Sequence, residues 1–228
     1  MKAKTIKIVF MIFTMLALEN RYCFSQGFIN LDFEEAVIVP DSSNPYSPNA
    51  VYASDAIPGW TPTGFTGPTW VLYNTASAGS TSVSILGTSG FPPALDGLFS
   101  VYLYGGGTAA SASISQTGLV PVGTESLLFE AQQFGAGTLQ VFLGNQNISF
   151  SALSTGANYT LYGGNIPLAF AGQSEQLMFS ALEGENFWNI DDIQFSSTAV
   201  PEPNEFALGT LGALLLGLRR WRNSSVDL

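Results

Sequence analysis

Between Gln26 and Pro203 the chain has no lysine, arginine or histidine, yet the same stretch carries fourteen aspartates and glutamates. A fold built from it can contain no ion pair between side chains. Each carboxylate must be left in water, given hydrogen-bond donors, or matched with a bound cation, because an uncompensated buried charge is strongly destabilising. All seven basic residues lie outside this stretch: Lys2, Lys4, Lys7 and Arg21 at one end, Arg219, Arg220 and Arg222 at the other. The chain is therefore an anionic body between two basic ends.

That distribution excludes several functions. Nucleic-acid binding depends on lysine and arginine displacing counterions from phosphates, so this body would be repelled. The lack of histidine removes imidazole-based triads and zinc sites, and the single Cys23 rules out an intrachain disulfide. Catalysis would have to rest on carboxylate pairs alone, as in glycoside hydrolysis. With fourteen acids some pair is inevitable, so the expectation is a body that is not an enzyme. Apolar content of 46% is still enough to bury a core.

The two ends have the anatomy of export signals. Met1 to Lys7 supply a positive segment, Ile8 to Leu18 an apolar run, and Ser25 a small residue after which cleavage is plausible. Residues 1–25 are expected to be a signal peptide, handled by the Sec translocon and signal peptidase. Near the C-terminus Val200-Pro201-Glu202-Pro203 precedes the apolar run Phe206 to Leu218 and then Arg219, Arg220 and Arg222. Thirteen helical residues span roughly 20 Å, short of a hydrocarbon core of about 30 Å unless arginines snorkel or the bilayer thins. The arginines favour the cytoplasmic side, which places the acidic body outside.

The order of motif, short helix and arginine cluster resembles the PEP-CTERM sorting domain of exopolysaccharide-producing Gram-negative bacteria. Val200, Pro201, Glu202 and Pro203 match its signature, with Arg219, Arg220 and Arg222 as the basic cluster. The resemblance implies recognition by exosortase, a membrane transpeptidase. It also implies a precursor anchored in the inner membrane by residues 200–228, then a product at the cell surface or in the extracellular matrix, in contact with exopolysaccharide.

Residues 26–199 show short apolar runs separated by Gly, Pro, Asn and Ser, an all-β pattern that predicts one β-sandwich. Expected strands are Phe28–Phe33, Ala36–Val39, Trp70–Tyr73, Ser82–Leu86, Phe99–Tyr104, Ser111–Gln116, Ser126–Gln132, Thr138–Leu143, Ile148–Leu153, Tyr159–Tyr162, Gln176–Leu182 and Asn186–Phe195. Gly144-Asn145 reads as a hairpin turn, and Gly163-Gly164 as a turn or linker. Asp41 to Pro68, rich in proline and aromatics, reads as irregular loops.

Asn30-Leu31-Asp32-Phe33-Glu34 and Trp188-Asn189-Ile190-Asp191-Asp192-Ile193 resemble the first and last strands of galactose-binding-like jelly rolls, the fold of many carbohydrate-binding modules. The resemblance implies a jelly-roll β-sandwich with adjacent termini and a structural calcium. Its matching positions are Glu34 and Asp191, with Asp32 and Asp192 as seconds. Strand alternation supports this, since one of Asp191 and Asp192 would face inward and need a partner; the other reading leaves both in water at a strand end. For sugar stacking the candidates are Trp60, Trp70, Tyr46 and Tyr73. Together these features predict a structural or adhesive surface body, with a carbohydrate-binding module as the alternative and a glycosidase or lyase as the third reading.

Overall fold

A computed structural model describes residues 27–75, 81–106 and 111–201. The expected signal peptide and, beyond Pro201, the remainder of the sorting tail with Glu202, Pro203, Arg219, Arg220 and Arg222 lie outside the described residues.

Alternation of apolar and polar side chains creates the strands. In Phe99–Tyr104, Val101 and Leu103 enter the core while Tyr102 and Tyr104 take the opposite face. Thirteen strands form among the described residues: β1 Ala50–Tyr52, β2 Thr61–Thr63, β3 Trp70–Tyr73, β4 Ser82–Gly87, β5 Phe99–Tyr104, β6 Ala112–Leu119, β7 Ser126–Gly135, β8 Leu139–Leu143, β9 Gln146–Asn147, β10 Ser151–Thr155, β11 Thr160–Asn165, β12 Ser174–Ala181 and β13 Asn186–Ser196. One sheet has eight strands in the order β1-β3-β4-β5-β13-β7-β11-β10, the other five in the order β2-β6-β12-β8-β9. All pairs are antiparallel except β3 with β4. The expected two-sheet β-sandwich is present.

The sheets enclose one apolar core that includes Phe33, Trp60, Val101, Ile114, Phe129, Val141, Phe179 and Ile190. Within it Phe129 meets Phe179 edge-on at 5.2 Å.

Several sequence expectations are corrected. Phe28–Phe33 and Ala36–Val39 are not strands but an irregular segment of bends and turns. Its backbone groups are satisfied by side chains: the Ile29 amide donates to Gln116 Oε1 at 2.7 Å, and Gln116 Nε2 donates to the Ile29 carbonyl at 3.0 Å. Asn30 and Phe33 have φ of 49° and 57°, which no extended strand tolerates. The expected adjacency of the two ends holds, because the Ile193 amide donates to the Leu31 carbonyl at 2.9 Å.

Asp41–Pro68 is more regular than its composition implies. It contains β1, the single-turn helix α1 Ala53–Ala56, and β2. Strand formation begins at Ser151 rather than Ile148. Gly144-Asn145 does join the β8–β9 hairpin.

Gly163 and Gly164 lie inside β11, not in a turn. A Cβ on Gly164 would collide with the Ser149 carbonyl, so glycine here permits a close backbone approach.

Candidate functional site

The outer face of the eight-stranded sheet is built by residues that alternate with the core. Tyr104, Phe187 and Phe134 stand in register across β5, β13 and β7, and Tyr102, Asn189 and Gln132 form the next row. Phe187 stacks on Tyr104 at 4.4 Å with an interplanar angle of 4°, and Tyr102 leans on Phe134 and Phe187 at 6.1 and 5.9 Å. The rings of Tyr102, Phe134 and Phe187 floor a cleft of about 500 Å³ whose wall is Phe91, Pro92 and Pro93 and whose polar groups include Gln132 and Asn158. Phe91 is 89% exposed. A second hollow of about 320 Å³ shares Gln132 and Asn158 and adds Thr155, Tyr159 and Thr160.

The wall belongs to the strap that joins β4 to β5 and crosses this face. Polar side chains fasten it: Asn189 Nδ2 donates to the Pro93 carbonyl at 3.2 Å, and Asn158 Nδ2 to the Leu95 carbonyl at 2.7 Å. The Asp96 amide donates to Asp191 Oδ2 at 3.2 Å. The Leu98 and Phe99 amides both donate to Glu34 Oε1, at 2.7 and 3.0 Å. Gly97 has φ of 54°, and a Cβ there would strike the Glu34 carboxylate.

Under the strap lies a group of acids. Asp191 of β13 stands opposite Glu130 of β7, and they are 2% and 8% exposed. Burial pushes the Asp191 carboxyl up to about 8; the amides of Asp192 and Asp96 oppose this, and the charges of Glu130 and Glu34 add to it. Burial likewise raises Glu130, the Tyr159 hydroxyl pulls it back, and Asp192 and Asp96 raise it further. Glu130 Oε2 is buried without a hydrogen-bond partner. Among the described residues no three acids converge as a ready cluster of metal ligands.

The structure brings Glu34 and Asp191 to the same end of one strap, Asp191 at the Asp96 amide and Glu34 at those of Leu98 and Phe99. Asp32 is exposed and accepts the Glu34 amide at 3.3 Å, and Asp192 accepts Gln194 Nε2 at 2.6 Å. Simple alternation puts Asp191 on the face of Ile193, but a register shift between Asp191 and Gln194, with Asp192 at φ 43°, changes this. Ile190 and Ile193 both enter the core, and Asp191 points to the outer face beneath the strap.

Among the expected sugar-stacking residues, Trp60 is 4% exposed in the core and its Nε1 donates to the Asn30 carbonyl at 2.9 Å. Trp70 is half-buried and stacks on Tyr52 at 3.9 Å; Tyr46 is exposed, edge-on to Phe65; Tyr73 is half-buried against the core. None of the four lines the aromatic cleft. The rings that do were missed because they come from strands that become neighbours only in the sheet. The one local signal was the outward alternation of Tyr102 and Tyr104 along β5.

Val200, expected to open the sorting tail, is held by the body. Its amide donates to Asn165 Oδ1 at 2.6 Å and Asn165 Nδ2 donates to its carbonyl at 2.9 Å. Pro201 is exposed beside it. Among the described residues no helix is long and apolar enough to cross a membrane.

No protein-family model matches the chain, and no curated protein matches it. Among solved structures it is similar to TmCBM61 in complex with β-1,4-galactotriose, with 14% identity and a TM-score of 0.38 over 75% of this chain and 97% of that one. It is also similar to the family 11 carbohydrate-binding module from Clostridium thermocellum in complex with a β-1,3-1,4-mixed-linked tetrasaccharide, with 11% identity and a TM-score of 0.35 over 68% of this chain and 97% of that one. A third likeness is to the enzymatically active domain of bacteriophage CBA120 tailspike protein 4, with 11% identity and a TM-score of 0.36 over 72% of this chain and 21% of that one.

Proposed function

We propose that the body is a saccharide-binding β-sandwich, exported and sorted to the cell surface or extracellular matrix by its C-terminal tail. The observation that carries the binding reading is the aromatic cleft. Ring faces suit the CH faces of pyranoses, while the Gln132 and Asn158 amides supply donors and acceptors for hydroxyls. Binding is preferred to catalysis because Glu130 and Asp191 are buried beneath the strap.

A panel of soluble neutral polysaccharides, comprising a β-glucan, a β-galactan and a mannan, tests this by affinity gel electrophoresis. The wild-type chain should be retarded by at least one of them. Phe187→Ala should weaken that retention about thirtyfold, equivalent to the roughly 2 kcal/mol of a binding hot spot. No retention on any member, or retention unchanged by the substitution, would remove the cleft from consideration; a purely structural or adhesive body would then be the better reading.

Sorting rests on Val200-Pro201-Glu202-Pro203 and the arginine cluster. Replacing Pro201, Glu202 and Pro203 with alanine in a host that has an exosortase-type transpeptidase should leave the precursor unprocessed, as read by the mass and location of the product. Normal processing would sink this part.

A structural calcium also belongs to the proposal. Glu34 and Asp191 are the residues that would hold it, and the partnerless Glu130 oxygen beside Asp191 is the kind of group a cation would neutralise. With no basic residue in the body, a bound cation is the one available source of positive charge.

A further inference from the structure

Three segments meet at the end of the sandwich where the chain leaves the body. The Glu125 amide donates to the Ser196 carbonyl at 2.8 Å, and the Ile166 amide to the Glu125 carbonyl at 3.0 Å. The Ser126 hydroxyl donates to the Thr198 carbonyl at 2.7 Å, and Asn165 holds both the amide and the carbonyl of Val200. The β6–β7 turn, the β11–β12 connection and the exit therefore form one surface. Gly27 bridges Leu119 beside it, so the chain also enters the body there. On this surface Val122, in the β6–β7 turn, is 87% exposed, and Leu168, in the β11–β12 connection, 72%. Few large apolar side chains of the described residues are as bare. The exposed Glu125 and half-buried Glu175 share this end, so it has no charge attraction for anionic lipid and only apolar contact to offer.

We propose that this end rests on the bilayer while the tail anchors the chain, with Val122 and Leu168 dipping into the membrane interface. The inference rests on the reading of Phe206 to Leu218 as a membrane segment and adds the face that the body turns to the lipid. Chain length carries it. Val200 is fixed to the body, and only Glu202, Pro203, Asn204 and Glu205 separate Pro201 from Phe206. Even at full stretch Pro201 stands within about 18 Å of Phe206. The headgroup layer takes up roughly 5–8 Å of that distance, so the exit end is the part of the body held nearest the lipid. Bare apolar side chains gain by leaving water, and the tether supplies a high local concentration of lipid. Two side chains then suffice where they would not hold a free protein. Strand β13 runs from Phe187 in the cleft to Ser196 at the exit, roughly 30 Å at strand rise. The aromatic cleft is thereby held away from the lipid, where a polysaccharide can reach it.

The test inserts the full chain into phosphatidylcholine vesicles, in a Cys23→Ser background that leaves one labelling site at a time. An environment-sensitive fluorophore is attached at Val122→Cys, Leu168→Cys, Phe91→Cys or Leu214→Cys, and a nitroxide on the lipid acyl chains is the quencher. Labels at 122, 168 and 214 should shift to the blue and lose emission to the quencher, and the label at 91 should do neither. Hydrogen exchange on the unsubstituted chain makes the comparison without a label. The amides of 122–124 and 168–170 should exchange more slowly in vesicles than with the tail kept soluble by an amphipathic polymer. Quenching at 214 without quenching at 122 and 168 overturns the contact and leaves the membrane segment standing. Absence of quenching at 214 removes the membrane segment and the contact with it. Quenching at 91 overturns the orientation. Protection of 122–124 and 168–170 that rises with protein concentration in the polymer assigns the surface to a second copy of the chain and also overturns the proposal.

Discussion

Trp60→Ala should cost roughly 3–5 kcal/mol of stability, the usual range for removing a large aromatic side chain from a core. Trp60 is 4% exposed, packs on Phe33 at 5.7 Å and Phe179 at 6.5 Å, and donates its indole proton to the Asn30 carbonyl. Its loss opens a cavity in the core and leaves the Asn30 carbonyl without that donor. Asn30 and Phe33 hold left-handed backbone conformations that surrounding contacts must sustain, so the segment leading to Glu34 should loosen as well. The comparison is Trp70→Ala, which removes a half-buried ring stacked on Tyr52 and should cost only about 0.5–1.5 kcal/mol beyond its lost area. Urea unfolding of the two variants measures the difference. Equal midpoints would show that Trp60 does not anchor the core.

The second large effect is an unusual dependence on pH. In the cation-free protein the Asp191 carboxyl is pushed up to about 8 by burial, whereas an unfolded aspartate titrates at about 3.9. Between those limits the folded state holds a proton that the unfolded state has released. Stability therefore falls as pH rises, by at most about 1.4 kcal/mol per pH unit, and levels off above the folded value. Glu130, also raised, acts in the same direction. Asp41 acts in the opposite one: the Ser43 hydroxyl and amide lower it, so its small contribution is present above the unfolded pKa and disappears as acid protonates it. Urea midpoints from pH 5 to 8 in chelator should decline, and Asp191→Asn should flatten the decline by about one proton. A flat or rising wild-type curve would contradict the burial of an uncompensated carboxyl at this position. Carboxylates with ordinary or lowered pKa values are already ionised above about pH 5 and add little slope over this range, which makes a decline diagnostic of a raised one.

The fold class was readable because strand formation follows local rules. Alternation in Phe99–Tyr104 and the Gly144-Asn145 hairpin both appear where the sequence places them. The segment Phe28–Val39 misled because apolar content alone does not distinguish a strand from a loop pinned by Gln116 and by left-handed residues. The short strands β1 and β2 were missed because each has only three residues and is stabilised by partners far along the chain. Among the site residues, Glu34 and Asp191 stood out as acids in strand-like motifs. Trp60 stood out for the wrong property, since an aromatic's size is visible in sequence and its exposure is not.

Composition alone settled the charge arrangement: an anionic body without cations, whose acids can find compensation only from hydrogen-bond donors, water or a bound ion. No contact between distant residues is needed to see this. Which acids bear the cost, and where the rings meet, came from the packing of the sheets. A one-residue bulge in β13 after Asp191 turned Ile193 into the core beside Ile190 and left Asp191 on the outer face, opposite Glu130. The order β5-β13-β7 brought Tyr104, Phe187 and Phe134 into one row from distant parts of the chain, with Phe187 and Tyr104 as direct partners. Neither outcome is written in local periodicity, because a register shift reverses side-chain direction and strand order is settled by contacts between distant segments.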